Sequence, residues 1–130
     1  MYTTTVNGDL TINFFTENDW AADLDSLMRQ QPSANYIEAV EDTDIATITL
    51  RDIHWLMDRH PIFHMLTSML QGLTISTAHI ASISTKSPDE RYKELFITHP
   101  EWLNRFPLKQ IASYLGMTPE TLSRVRARLT

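Results

Sequence analysis

Cysteine is absent from this chain, which excludes disulfides, thiolate metal sites and cysteine nucleophiles. Glycine occurs three times, and neither a phosphate-cradling loop nor a dinucleotide fingerprint is present. A Ser/His/Asp arrangement with catalytic spacing is missing too, so an enzyme is not expected. No basic stretch followed by an apolar run opens the chain, and a cytoplasmic location is expected. Charge is missing from one whole segment: residues 61–85 hold no Asp, Glu, Lys or Arg.

With 130 residues and 42% apolar content, the chain can bury one ordinary core and has room for a small second domain. The net charge of -5 hides a division. Residues 1–60 hold eleven acids and three bases, whereas residues 86–130 hold eight bases and five acids. From Arg105 onward there are five bases and one acid. Asymmetry of this kind points to one end that meets a polyanion while the remainder does another job.

Residues 2–50 read as strands and turns. Tyr2–Val6 is β-branched and aromatic, Asn7-Gly8 supplies a hairpin turn, and Leu10–Phe15 alternates like a half-buried strand. A short helix is expected from Trp20 to Gln30, capped by Asn18 or Asp19. Tyr36–Val40 and Ile45–Leu50 read as two further strands, joined by the acidic turn Glu41-Asp42-Thr43-Asp44. Four strands and one helix close poorly into a body, and their edges would need cover.

Residues 51–85 read as helix. Asp52–Arg59 is short, and His60-Pro61 breaks it because a residue before proline avoids the helical region. A longer helix then starts at Pro61. Its residues Phe63, Leu66, Leu70, Leu73, Thr77, Ile80 and Ser84 recur at steps of three and four, a heptad seam that pairs helices. Continuous, this helix would be roughly 35 Å long. Packing on the chain's own sheet is the other reading, whereas Gln71, His64 and His79 make the segment too polar to span a membrane.

Residues 86–130 read as a compact helical domain. Ser87-Pro88-Asp89-Glu90 is a helix start, with a capping serine, a first-turn proline and acids at the positive end of the dipole. Tyr92, Leu95 and Phe96 share a face, and the helix stops near His99-Pro100. Glu101–Phe106 is a short helical turn or a loop. The stretch from Leu108 to Leu129 then has the form of a helix-turn-helix. Ala112 is small where two helices cross, and Gly116 tolerates the positive φ of the turn. Thr118 and Pro119 begin the second helix, and Ile111, Leu115, Met117, Leu122 and Val125 fill the angle between the two.

In such a motif the second helix enters the major groove. Glu120 and Arg124, four apart, share a face. Arginine can grip guanine and glutamate can accept from cytosine, although the same pair could be a plain surface salt bridge. Thr118, Thr121 and Ser123 suit phosphate or base contacts, while Lys109, Arg126 and Arg128 suit phosphate.

The stretch from Asp89-Glu90-Arg91-Tyr92 through Ile111–Gly116 to Pro119–Arg124 resembles the carboxyl-terminal domain of Crp/Fnr-type transcriptional regulators, in the variety common in Bacteroidetes. Pro32–Ala39 resembles the end of their cyclic-nucleotide-binding-like β-roll, and the charge-free segment resembles their dimer helix. The resemblance implies an α+β fold with a partial, jelly-roll-like β-roll at 1–60 that lacks its first part. It further implies a dimerisation helix at 61–86 and a winged-helix-like helix-turn-helix domain at 87–130. It implies a homodimer on double-stranded DNA, with Glu120 and Arg124 at base-contacting positions and an effector of unknown identity. Departures also matter. Where cAMP-binding members carry a Gly-Glu-Leu segment and a later Arg-Ser or Arg-Thr, this chain has Trp20–Asp25 and Pro32-Ser33-Ala34. Acids stand where a phosphate needs donors, so cAMP binding is not expected. Without cysteine an Fnr-like iron–sulfur sensor is excluded, and no cofactor is expected.

Three rivals remain. His60 and His64, with His54 or Asp58 nearby, could ligate a metal, but the intervening Pro61 breaks the helix and ordinary histidines are the plainer account. Asp19, Asp23 and Asp25 loosely suggest a calcium loop, without its glycine or terminal glutamate. The serious alternative is a dimeric interaction or effector-sensing module that does not read DNA.

Overall fold

The structure is a computed structural model; it describes residues 1–65, 68 and 77–129, with the backbone alone at 77, 78 and 80. The fold is α+β, and the chain divides into two compact units. One unit joins Met1–Phe14 to Ile75–Thr130, and the other is Phe15–Thr74. These limits differ from the expected 1–60, 61–86 and 87–130. The reason is Phe14, which lies in the same buried cluster as Tyr92, Trp102, Phe106 and Ile111.

In the first unit, β1 (Tyr2–Thr5) and β2 (Gly8–Thr11) form an antiparallel hairpin with Thr5 opposite Gly8. The turn is therefore Val6-Asn7, one residue earlier than expected. Gly8 follows it at φ +108°. The Thr5 hydroxyl fixes this turn, accepting from the Asn7 amide at 3.2 Å and donating to the Gly8 carbonyl at 2.6 Å.

Five helices follow in this unit among the described residues: α3 (Thr77–Thr85), α4 (Pro88–Thr98), α5 (Trp102–Arg105), α6 (Leu108–Tyr114) and α7 (Pro119–Leu129). The signal at the start of α4 works as read. Ser87 and Glu90 form a reciprocal capping box, in which the Ser87 hydroxyl accepts the Glu90 amide and the Glu90 carboxylate accepts the Ser87 amide at 2.8 Å. Tyr92 and Leu95 are buried, but Phe96 is 53% exposed, so the buried stripe of α4 is narrower than its apolar face.

The core is largely aromatic. Phe14 stacks on Phe106 at 4.1 Å between centroids and meets Trp102 edge-on at 5.2 Å. The hairpin is also bonded to α6: the Ser113 hydroxyl accepts the Thr11 amide at 2.8 Å and donates to the Asp9 carbonyl at 2.9 Å.

The second unit is thinner. Helix α1 (Leu24–Arg29) is shorter than the span 20–30 and is capped by Asp23, whose carboxylate accepts the Ser26 amide. Asn18 instead sits in a turn at φ 68°. Strand β3 is two residues, Asn35–Tyr36. Of the strand expected at Tyr36–Val40 only Tyr36 is in β3, and the strand expected at Ile45–Leu50 is not formed: residues 37–49 are neither helix nor strand, and all are exposed. Sheet backbone needs a neighbour's N–H and C=O groups, and residues 37–49 have β-branched side chains without such a neighbour. The four-stranded partial β-roll expected for 1–60 is therefore not what these residues form.

Helix α2 (Leu50–Arg59) begins with a Thr49/Asp52 capping box and stops at His60, whose extended backbone obeys the rule for a residue before proline. Pro61–His64 is a 3-10 turn rather than the first turn of an α-helix. Of the expected dimer seam, Phe63 lies half-buried in that turn. Leu66, Leu70 and Leu73 lie outside the described residues, as do the side chains of Thr77 and Ile80. Among the described residues, no helix is long and apolar enough to cross a membrane, and no three potential ligands, His60 and His64 included, are grouped to hold a metal ion.

Candidate nucleic-acid interface

Helices α6 and α7 are joined by a turn whose geometry follows from one residue. Gly116 has φ +61°, a left-handed conformation that glycine adopts without a Cβ penalty. The Gly116 amide donates to the Ser113 carbonyl at 3.0 Å, and the Met117 amide donates to the Ala112 carbonyl at 2.9 Å. Those two bonds are a Schellman motif, which satisfies the last carbonyls of α6 and turns the chain. A Cβ on Gly116 would lie 2.5 Å from Ile83 Cγ2 and 2.9 Å from Arg91 Nη1. Glycine is thus required there by space as well as by φ.

The second helix starts where the chain leaves this turn. The Thr118 hydroxyl accepts the Thr121 amide at 3.3 Å, and Pro119 opens α7. Leu122 and Val125 are fully buried and face the cluster of Ile111, Ala112 and Leu115. Burial of each large side chain stabilises this seat by about 1.5–3 kcal/mol. With that stripe fixed, helical periodicity decides the rest: Glu120, Ser123, Arg124 and Arg128 are exposed, whereas Thr121 and Arg126 are half-buried. Lys109 and Thr118 are exposed as well.

Electrostatics divide this set. Glu120 does not form an ion pair with Arg124 among the described residues. Its carboxyl is held below the ordinary range by the Glu120 amide, then by the Thr118 hydroxyl, with Arg124 adding a smaller pull. Arg124 Nη2 donates to the Thr121 hydroxyl at 3.3 Å. Arg128 forms an ion pair with Asp89 at the first turn of α4, so a phosphate would share it with that carboxylate. The exposed face of α7 thus combines hydroxyls, one carboxylate and two guanidiniums on a rigid helix. Chemically it can donate to and accept from the edges of a polyanion or of base pairs.

Two contributors were not legible as site residues. Asp89 reads in the sequence as a helix-start acid, and its partnership with Arg128 spans 39 positions. Arg91 is buried, and its Nη1 donates to the Leu115 carbonyl at 2.5 Å and to the Gly116 carbonyl at 3.2 Å. It therefore fastens the turn to α4. A charged residue among the buried positions of α4 was the available signal, since arginine is almost never fully buried unless it has partners.

Comparison with protein-family models, with curated proteins and with solved structures found no match.

Proposed function

We propose that this chain is a sequence-specific, DNA-binding transcription regulator that acts as a homodimer, with α6 and α7 as its helix-turn-helix. The observation that carries this reading is α7 itself. It is seated by a buried stripe of Leu122 and Val125 and presents Glu120, Ser123, Arg124 and Arg128 on the opposite side. The basic excess beyond Arg105 and the exposed Lys109 support it, because phosphate contacts supply affinity and base contacts supply specificity. In this reading Arg124 and Glu120 read bases, Thr118, Thr121 and Ser123 contact phosphates or bases, and Lys109, Arg126 and Arg128 hold phosphates. Two copies pair, in this reading, so that their recognition helices lie about 34–36 Å apart, which matches a pseudo-palindromic site. No response to cAMP is part of this reading.

Selection of bound sequences from a random duplex pool, at near-physiological salt, tests it directly. The expected result is an inverted repeat whose half-site centres lie about one helical turn apart. Arg124→Ala should then cost about 1–3 kcal/mol of binding and relax one base pair per half-site. Arg128→Ala should weaken all sequences alike and flatten the salt dependence by about one ion. A folded protein that enriches no sequence, or whose DNA affinity ignores salt, overturns the proposal. That outcome would favour the second reading, a protein-interaction module, for which Phe96 (53%) and Ile97 (78%) on α4 already offer exposed apolar surface.

A further inference from the structure

Unit one contains a cavity of about 230 Å³ lined by residues of α3, α4 and the end of α6. Its walls include His79 from α3, Lys86 from the α3–α4 junction, Arg91 and Glu94 from α4, and Tyr114 and Leu115 from the end of α6. The volume lies below the roughly 300–1,000 Å³ of pockets for drug-sized ligands, so any occupant is small.

Arg91 sets the charge of that occupant. It is only 8% exposed, and Nη1 is spent on the two turn carbonyls. Its Nε is buried without a hydrogen-bond partner, and no carboxylate among the described residues engages the guanidinium. A buried charge without a counter-ion is costly. A guanidinium with N–H groups unspent is the partner that a carboxylate engages through charge-assisted bonds. The pocket's own carboxylate does not serve, because Glu94 is held by Lys86 at 2.7 Å.

Two further observations shape the occupant. The His79 ring stacks on Tyr114 at 3.9 Å between centroids and 13° between planes. With Leu95 and Leu115, this gives the cavity an apolar wall that a bare inorganic ion would leave unused. His79 Nε2 is a second buried polar atom without a partner.

We propose that this cavity is a binding site for a small organic carboxylate, held by the Arg91 guanidinium with its body against the His79–Tyr114 stack. Such a ligand would hold the same guanidinium that fastens the α6–α7 turn. The site does not depend on DNA recognition, and its test contains no DNA.

The experiment is a calorimetric and NMR titration of the full chain with acetate and with benzoate, and with inorganic phosphate as the competing arm. Saturable binding of a carboxylate is expected, tighter for benzoate, with shifts of the Arg91 Nε and His79 ring signals. Arg91→Lys keeps the charge and a donor for the carbonyls but loses the fork, and should weaken binding about tenfold or more. Should that variant fail to fold, Lys86→Gln provides the second measurement. It leaves Glu94 unneutralised beside the site and should weaken binding severalfold. The proposal is overturned if neither carboxylate saturates by tens of millimolar, if phosphate binds as well as benzoate, or if binding by folded variants is unchanged.

Discussion

The two units of this protein are both rich in apolar residues, yet they use them in opposite ways. In the unit built from Met1–Phe14 and the carboxyl-terminal helices, eleven residues from Phe14 to Val125 form one buried cluster. In Phe15–Thr74, Ile53 is the one buried hydrophobic among the described residues, while Ile37, Val40, Ile45, Trp55, Ile62 and Met65 are exposed. Apolar content therefore does not decide whether a segment builds a core. Helices satisfy their own backbone hydrogen bonds and need only a partner for one stripe. Strands need a partner for the backbone as well, and residues 37–49 have none.

That contrast can be broken by substitution. The largest effect belongs to Leu122→Ala, which empties a fully buried position and should cost about 2–5 kcal/mol. Ile45→Thr, at a position 79% exposed, should change stability by less than about 0.5 kcal/mol. Urea unfolding of both variants reads the two values, and similar costs would show that the middle of the chain is as tightly packed as the helices. Next comes Gly116→Ala. The added Cβ meets Ile83 at 2.5 Å in a left-handed backbone, so roughly 2–3 kcal/mol should be lost. A loss near zero would mean that α3 does not press on the turn.

The same contrast explains what was legible in the sequence. Ser87-Pro88-Asp89-Glu90, Gly116 and Thr118-Pro119 each act within four residues of themselves, and each appears where it was read. The helix pair was legible because local caps, a glycine and an apolar period agreed. Tyr36–Val40 and Ile45–Leu50 carried strand propensity alone, and propensity does not supply a neighbouring strand. The turn of the hairpin slipped by one residue because the Thr5 hydroxyl bonds both sides of it. The clasp of Ser113 on Asp9 and Thr11, the Asp89–Arg128 pair and the hold of Arg91 on the turn all join distant positions. A single sequence has no periodicity that marks such contacts.

Smaller effects sharpen the comparison at the level of caps. Ser87→Ala removes the hydroxyl that accepts the Glu90 amide and should cost about 1 kcal/mol. Thr49→Ala removes the matching group of α2. If folding of the first unit is the more cooperative, the Ser87 change should shift its whole unfolding transition. The Thr49 change should act on α2 alone, as read by amide exchange. A global shift from Thr49→Ala would erase the distinction.

The last prediction separates the units by pH. His79, in the first unit, has its pKa lowered from 6.5, mainly by burial, which disfavours the imidazolium, and a hydrogen bond to the Tyr114 backbone opposes this only in part. The unfolded chain therefore binds the proton first. The contribution of neutral His79 to stability is complete above pH 6.5 and is lost as pH falls through that value towards the folded one. Asp23, in the second unit, has its carboxyl lowered from 3.8, chiefly by the Ser33 hydroxyl, with the Ser26 amide and Asn35 assisting against desolvation. Its contribution is present above pH 3.8 and is lost only as pH falls below it. Between pH 7 and pH 5 the first unit should weaken while the clasp of Asp23 on Ser33 and Asn35 persists. Residue-resolved amide exchange across that range measures both. His79→Gln should flatten the response of the carboxyl-terminal helices, and Asp23→Asn should leave it untouched. If instead both units lose protection together near pH 6, they unfold as one, and the division between a packed and an unpacked half is not thermodynamic.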